Sequence, residues 1–272
     1  MQDDDVTDNE IWSLSGDATG EGGLVQILDR SDYRLRAHHL CINARMVTAV
    51  DTVFGAGVRR CIEAALRRPQ SKVTIWPPAE PGSLLDRMHD LLAVLPDRAR
   101  WSPAPDASPA VRDRTIIIPA TPIETEEDAE LYGEAVGRAL TRGNVPPVPV
   151  RRTAQAIAEL TGNAVTASVS AGLPPILSVA LDPRAESIGV TVITDPPLLA
   201  SPEDAPDELR RLVEFSRAHR GGWHRLASKR GASLLIALST ARATMRLEGD
   251  EYRVTGAVDA LAVSWTMQVW GQ

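Results

Sequence analysis

The chain has 272 residues, 43% of them hydrophobic, and a formal charge of −7 from 29 basic and 36 acidic side chains. That is apolar chain enough for one large core or two ordinary ones. The negative balance argues against nonspecific binding to nucleic acid or to an anionic membrane surface. Two cysteines, Cys41 and Cys61, make no disulfide framework and predict a reducing, cytoplasmic setting. No apolar run reaches the length needed to span a bilayer. The N-terminus also lacks the basic-then-apolar order of a signal peptide.

Residues 1–22 are acidic and glycine-rich, with Asp3, Asp4, Asp5, Asp8 and Glu10, and are expected to form a disordered tail. Leu24 to Leu28 and Tyr33 to Ile42 read as strands. Val53 to Arg68 reads as a helix, with Val58, Cys61, Ile62, Ala65 and Leu66 at helical spacing and Pro69 closing it. Lys72 to Trp76 is a short β-type run stopped by Pro77-Pro78. Leu84 to Leu95 is amphipathic and ends before Pro96. Thr115 to Ile118 is a further short strand. Thr125 is placed to cap a helix running to about Leu140, with Glu126, Glu127 and Asp128 in its first turn, where carboxylates suit the helix dipole.

The prolines of Gly143-Asn144-Val145-Pro146-Pro147-Val148-Pro149 predict a linker or a helix-to-helix connection, and divide the chain there. A helix follows. Ala154, Ile157, Ala158, Thr161 and Val165 form its apolar stripe, with Glu159 and Asn163 on the opposite side. Ile176 to Leu181 and Ser187 to Thr194 are a hairpin candidate ending at Asp195. A proline-rich loop covers Pro196 to Pro206, and Asp207 to His219 reads as a helix. Trp223 to Ala227, Ser233 to Leu238, Ala243 to Leu247, Glu251 to Val254 and Leu261 to Trp270 read as strands. The last of these is placed to extend a sheet or to present an edge to a partner.

Other constellations are thin. Along a strand His39 and Cys41 share a face while His38 points away, and two ligands are too few for a closed zinc site. No Gly-x-Ser-x-Gly elbow and no Walker-type phosphate loop occurs.

Two resemblances organise these elements. Val50-Asp51-Thr52-Val53-Phe54-Gly55-Ala56-Gly57, leading into a helix and then the strand Lys72 to Trp76, resembles the signature turn of STAS domains. Thr52 falls where that family carries its phosphorylatable hydroxyl. Read from residues alone, Asp51 or Thr52 simply caps the helix. The second half carries a helix with Glu-x-x-x-Asn, a hairpin ending in Asp, a loop, a helix, a Gly turn and a strand. That order resembles the ATP-binding fold of the GHKL superfamily, shared by histidine kinases, gyrase and anti-sigma-factor kinases. The resemblance implies that Asn163 holds Mg²⁺, that Glu159 is a general base, and that Asp195 hydrogen-bonds the adenine amine. Gly231 then belongs to the final Gly turn, and the cofactors implied are ATP and Mg²⁺. The family's glycine box is here Asp195-Pro196-Pro197-Leu198-Leu199, without its glycines, so amide donors and lid flexibility are lost.

The expectation is an α/β protein of two α+β two-layer sandwiches. Residues 23–143 form a STAS-like domain and residues 144–272 a histidine kinase-like ATPase domain. The function expected is regulation through a protein partner (a STAS protein, sigma factor or sensor) in a partner-switching system, with a degenerate ATP site. No nucleic acid or membrane partner is expected, and a homodimer is compatible. The alternative is a working Mg-ATP-dependent Ser/Thr kinase of the anti-sigma-factor type, using Glu159 as base and phosphorylating a STAS partner or its own Thr52.

Overall fold

The computed structural model describes residues 9–19, 23, 26–27, 38–78, 82–102, 115–168, 173–182, 187–194, 244–247, 250–257 and 260–268. Strands β1 (Asn9–Ala18), β2 (His39–Val50), β3 (Lys72–Trp76) and β4 (Ala99–Trp101) form a parallel sheet in that order, sheet A. A second, antiparallel sheet B has the order β5 (Ile116–Pro122), β6 (Ile176–Asp182), β7 (Ser187–Thr194), β10 (Ala260–Gln268), β9 (Asp250–Ala257), β8 (Thr244–Leu247). The chain is therefore an α/β protein, with one sheet of each kind among the described residues.

Four helices are described: α1 (Thr52–Leu66), α2 (Ser83–Leu91), α3 (Glu126–Arg142) and α4 (Pro147–Ser168). At the start of α1, the Asp51 carboxylate accepts from the amides of Val53 (2.9 Å) and Phe54 (3.1 Å), satisfying two otherwise orphaned donors. At its end, the Arg98 guanidinium donates to the carbonyls of Leu66, Arg68 and Ser71, a cation placed where the helix dipole is negative. Helix α1 touches β2 and β3 on one side and β5, β6 and β7 on the other. Every residue from Thr52 to Ile62 is buried. A helix buried on every side, its Arg59 and Arg60 included, needs cover all round, and α1 gets it by lying between the two sheets.

On the far side of sheet B, α3 packs against α4, and α4 against β7. Thr125 caps α3 in a reciprocal box with Asp128, each side chain bonding the other's amide at 3.0 Å. A Cβ on Gly133 would lie 2.7 Å from the Ala154 carbonyl oxygen and 3.1 Å from the Ala158 Cβ, so only glycine lets α3 and α4 approach this closely.

Three expectations are corrected. Residues 9–18 of the supposed acidic tail form strand β1. Its inward residues Trp12, Leu14 and Ala18 are buried among acidic and hydroxyl neighbours that masked the pattern. Gln26 and Ile27, expected in a strand, are helical. The division at residue 143 also fails as a domain boundary. Strand β5, from the first half, pairs with β6 from the second, and α3 packs on α4 across the supposed linker. That connection is a tight turn in which Asn144 takes the left-handed conformation (φ 59°) and the Val145 amide returns to the Leu140 carbonyl at 3.1 Å. Proline is tolerated in a helix's first turn, so Pro147 begins α4 instead of ending the order. The predicted spans of β3 and β7 match those observed, and the C-terminal strand β10 lies inside sheet B, between β7 and β9.

Candidate functional site

The C-terminal candidates lie on α4 and after β7. On α4, among the side chains described, Thr153, Ile157, Thr161, Ala164 and Val165 are buried. They include three residues of the predicted stripe, and that side of the helix meets sheet B. Positions 159 and 163 fall on the opposite side of the helix at 3.6 residues per turn. The side chains of Glu159 and Asn163 lie outside what the structure describes. Asp195, the loop 196–206, the helix expected from Asp207 and Gly231 also lie outside the described residues. Two facts bear on the motif. Helix α4 packs on β7, and β7 ends at Thr194, one residue before Asp195.

Thr52, the hydroxyl singled out in the N-terminal half, sits at the first position of α1. Its Oγ1 lies 2.8 Å from Oγ1 of Thr191 on β7, and both residues are buried. A Cβ on Gly189 would stand 3.7 Å from the same oxygen, so the strand passes close by. Two buried hydroxyls that satisfy each other fasten α1 to sheet B. Phosphorylation of Thr52 therefore requires the start of α1 to part from β7. Asp51 is the capping residue, as the residue-level reading allowed.

A second constellation occupies the outer face of sheet A, the side away from α1. Strand register brings Asn9, His39 and Lys72 level, then Ile11, Cys41 and Thr74, then Ser13, Asn43 and Trp76. His39 Nδ1 lies 3.0 Å from Asn9 Oδ1, and His39 Nε2 lies 2.8 Å from Thr74 Oγ1. Cys41 Sγ is 3.8 Å from the same Nε2, which bears out the expected shared face. Further along, Asn43 reaches Ser13 at 3.4 Å, and the Arg45 guanidinium lies 5.1 Å above the Trp76 ring. Sequence reasoning missed Asn9 and Thr74. They meet His39 only through the register of three strands, which no local pattern carries.

Ionisation separates the two cysteines. Burial pushes the Cys61 thiol up to about 12, against a smaller lowering by the neighbouring Arg60 charge. Burial also raises the Cys41 thiol. His89, packed edge-on against Trp101 with ring centres 4.5 Å apart, is held below the ordinary imidazole value by burial, with Asp86 and Asp90 opposing. Among the described residues no group of three or more His, Cys, Asp or Glu side chains could hold a metal ion. No described helix is long and apolar enough to cross a membrane.

No family model matches the chain, and no curated protein matches it. Among solved structures, a chain of the SiaB–SiaC complex from Pseudomonas aeruginosa is similar over 57% of this chain and 92% of its own. The two are 11% identical, with a TM-score of 0.36. So loose a likeness carries no argument about function.

Proposed function

We propose that the protein is a regulator of the partner-switching type, acting by binding a protein partner and retaining a degenerate nucleotide site in its C-terminal half. The observation that supports this reading is the packing of α4, which bears Glu159 and Asn163, on β7, which leads into Asp195. Two of the segments that carry the resemblance to GHKL ATP-binding domains, α4 and β7, are thus neighbours in space.

The donor set suits the implied cofactor in part. An amide oxygen and a carboxylate are hard oxygen ligands of the kind Mg²⁺ takes. Pro196 and Pro197 contribute no amide hydrogens, so the loop after β7 offers phosphate fewer donors than the family's glycines do. Mg-ATP would supply a conformational ligand here, and phosphoryl transfer is not part of the proposal. A self-kinase reading through Thr52 is disfavoured by the burial of that hydroxyl against Thr191.

Thermal melting with millimolar Mg-ATP or Mg-ADP tests the nucleotide site. A ligand at a hundred times its dissociation constant stabilises a fold by about 2.7 kcal/mol. The expected result is a rise in Tm that disappears in both Asn163→Ala and Asp195→Asn, with no radiolabel transferred to Thr52 or to an added STAS domain. The absence of any rise would leave a scaffold without nucleotide, and label transfer would make the protein a kinase. Titration of a purified STAS-domain protein with and without nucleotide tests the switching itself, since coupling requires the two affinities to differ.

A further inference from the structure

We propose that Cys41 is a nucleophilic thiol toward small hydroperoxides, with His39 as its general base and Asn9 positioning that base. The site is independent of the nucleotide reading and lies on the outer face of sheet A.

The roles follow from donor and acceptor chemistry. The Asn9 Oδ1 can only accept, so the His39 Nδ1 at 3.0 Å carries the ring proton. Nε2 then presents its lone pair. Two hydrogens compete for it, the Thr74 hydroxyl at 2.8 Å and the Cys41 thiol at 3.8 Å. A nucleophile, a base within reach and a third group that fixes the base's tautomer and orientation form the arrangement that activates thiols and hydroxyls in catalysis. Asn9 on β1 is level with His39 on β2, Cys41 stands two residues further along β2, and Thr74 on β3 is level with it, so rigid strands hold the geometry.

Access and surroundings narrow the electrophile. Cys41 is only 6% exposed, which excludes a bulky acyl group. Strand β2 is paired on both sides, so its amides are committed to the sheet and form no oxyanion hole for acyl transfer. Attack on a peroxide needs no such hole. The Cys41 proton passes to His39 Nε2 as sulfur attacks one peroxide oxygen, and the O–O bond breaks. The departing oxygen takes the proton from Nε2 and leaves as water, or as an alcohol from an organic peroxide. Sulfur is oxidised by two electrons to the sulfenic acid, and the peroxide is reduced by two. Burial keeps the resting thiol protonated, so a base is required at the moment of attack. Cys61 belongs to α1, on the other side of sheet A, so no disulfide between the two follows.

The test treats the full chain with hydrogen peroxide, traps sulfenic acid with dimedone, and reads each cysteine by mass spectrometry between pH 5 and 9. At pH 7, Cys41 is expected to react at least about 100-fold faster than in His39→Gln, the low end of what a general base supplies. Asn9→Ala is expected to move the pH profile as well as lower the rate. Thr74→Val, which removes the competing hydroxyl, is expected to raise it. Cys61 is expected to stay unlabelled. The proposal is overturned if Cys41 reacts no faster than free cysteine at the same pH, or if His39→Gln leaves its rate unchanged. It is also overturned if the wild-type rate follows thiol ionisation alone, a readout that holds even if a variant fails to fold.

Discussion

Sheet A and sheet B meet their surroundings in opposite ways. In sheet A, a parallel sheet, β2 buries Leu40, Ile42 and Ala44 on one face and turns His39, Asn43 and Arg45 outward. In sheet B, an antiparallel sheet, β7 is buried on both faces. Thr191 and Ile193 face α1, and Ile188, Val190 and Val192 alternate to the other face, where α4 packs on β7. The usual expectation is the reverse, with parallel sheets covered on both sides and antiparallel ones half open. Coverage here follows from helix placement. Helices α1 and α2 touch strands of both sheets, and among the described residues only sheet B has further helices behind it. The outer face of sheet A carries polar side chains in rows, and that is where Asn9 and His39 line up with the buried Cys41 and Thr74.

The comparison can be broken most directly at the shared layer. Phe54, fully buried in α1, belongs to the core beneath sheet A. Phe54→Ala is expected to cost about 3–5 kcal/mol. Urea unfolding followed by hydrogen exchange should show the strands of both sheets losing protection together. Protection lost in sheet A alone would mean that α1 does not couple the two.

The junction to sheet B is sharpened by Thr52 and Thr191. Thr52→Val and Thr191→Val should each cost about 1–3 kcal/mol, because each leaves the other hydroxyl buried without its partner. The double variant should lose less than the sum of the two. Simple additivity in denaturant midpoints would remove the hydroxyl pair as the fastening.

A smaller effect distinguishes the α2 side of sheet A by pH. Burial holds His89 neutral in the folded protein, so between its folded and unfolded values the unfolded chain binds more protons. The stability this contributes is present above the unfolded value near 6.5 and is lost as pH falls through it toward the folded value. Melting temperatures between pH 7.5 and 5 should fall less steeply in His89→Phe than in wild type. Equal slopes would sink this assignment.

The smallest effect is expected on the exposed face of α3. The Arg138–Glu134 pair spans 3.1 Å with both side chains more than 60% exposed. Arg138→Ala should change stability by no more than about 0.5 kcal/mol, within the range of exposed helix pairs.

How much of this was legible in the sequence depended on how local the cause was. Helix α1 could be read because its cap, Asp51, and its apolar run lie together, and α3 because Thr125 and Asp128 sit three residues apart. Strand β1 was hidden because only Trp12, Leu14 and Ala18 point inward among Asp, Glu and Ser. Of the two readings of residues 143–149, the helix-to-helix connection is the one observed, and sequence could not choose because prolines that open a helix look the same as prolines that form a linker. The contact between Thr52 and Thr191 joins residues far apart in the chain, and that between Asn9 and His39 depends on strand register. Neither leaves a trace in spacing. The buried side of α4 was legible from its stripe, whereas the expectation that Asn163 and Asp195 share a site rests on resemblance and lies outside the described residues.

The placement of α1 also has a consequence for biosynthesis. The helix leaves the ribosome well before Ile176 to Thr194, the strands that complete its cover. At ordinary elongation rates the interval is on the order of ten seconds. During that time the nascent chain displays a helix rich in apolar residues with one side unshielded. A cell making this protein must keep that surface from sticking to its neighbours, so yield on overexpression should respond to chaperone supply and to slower growth temperature.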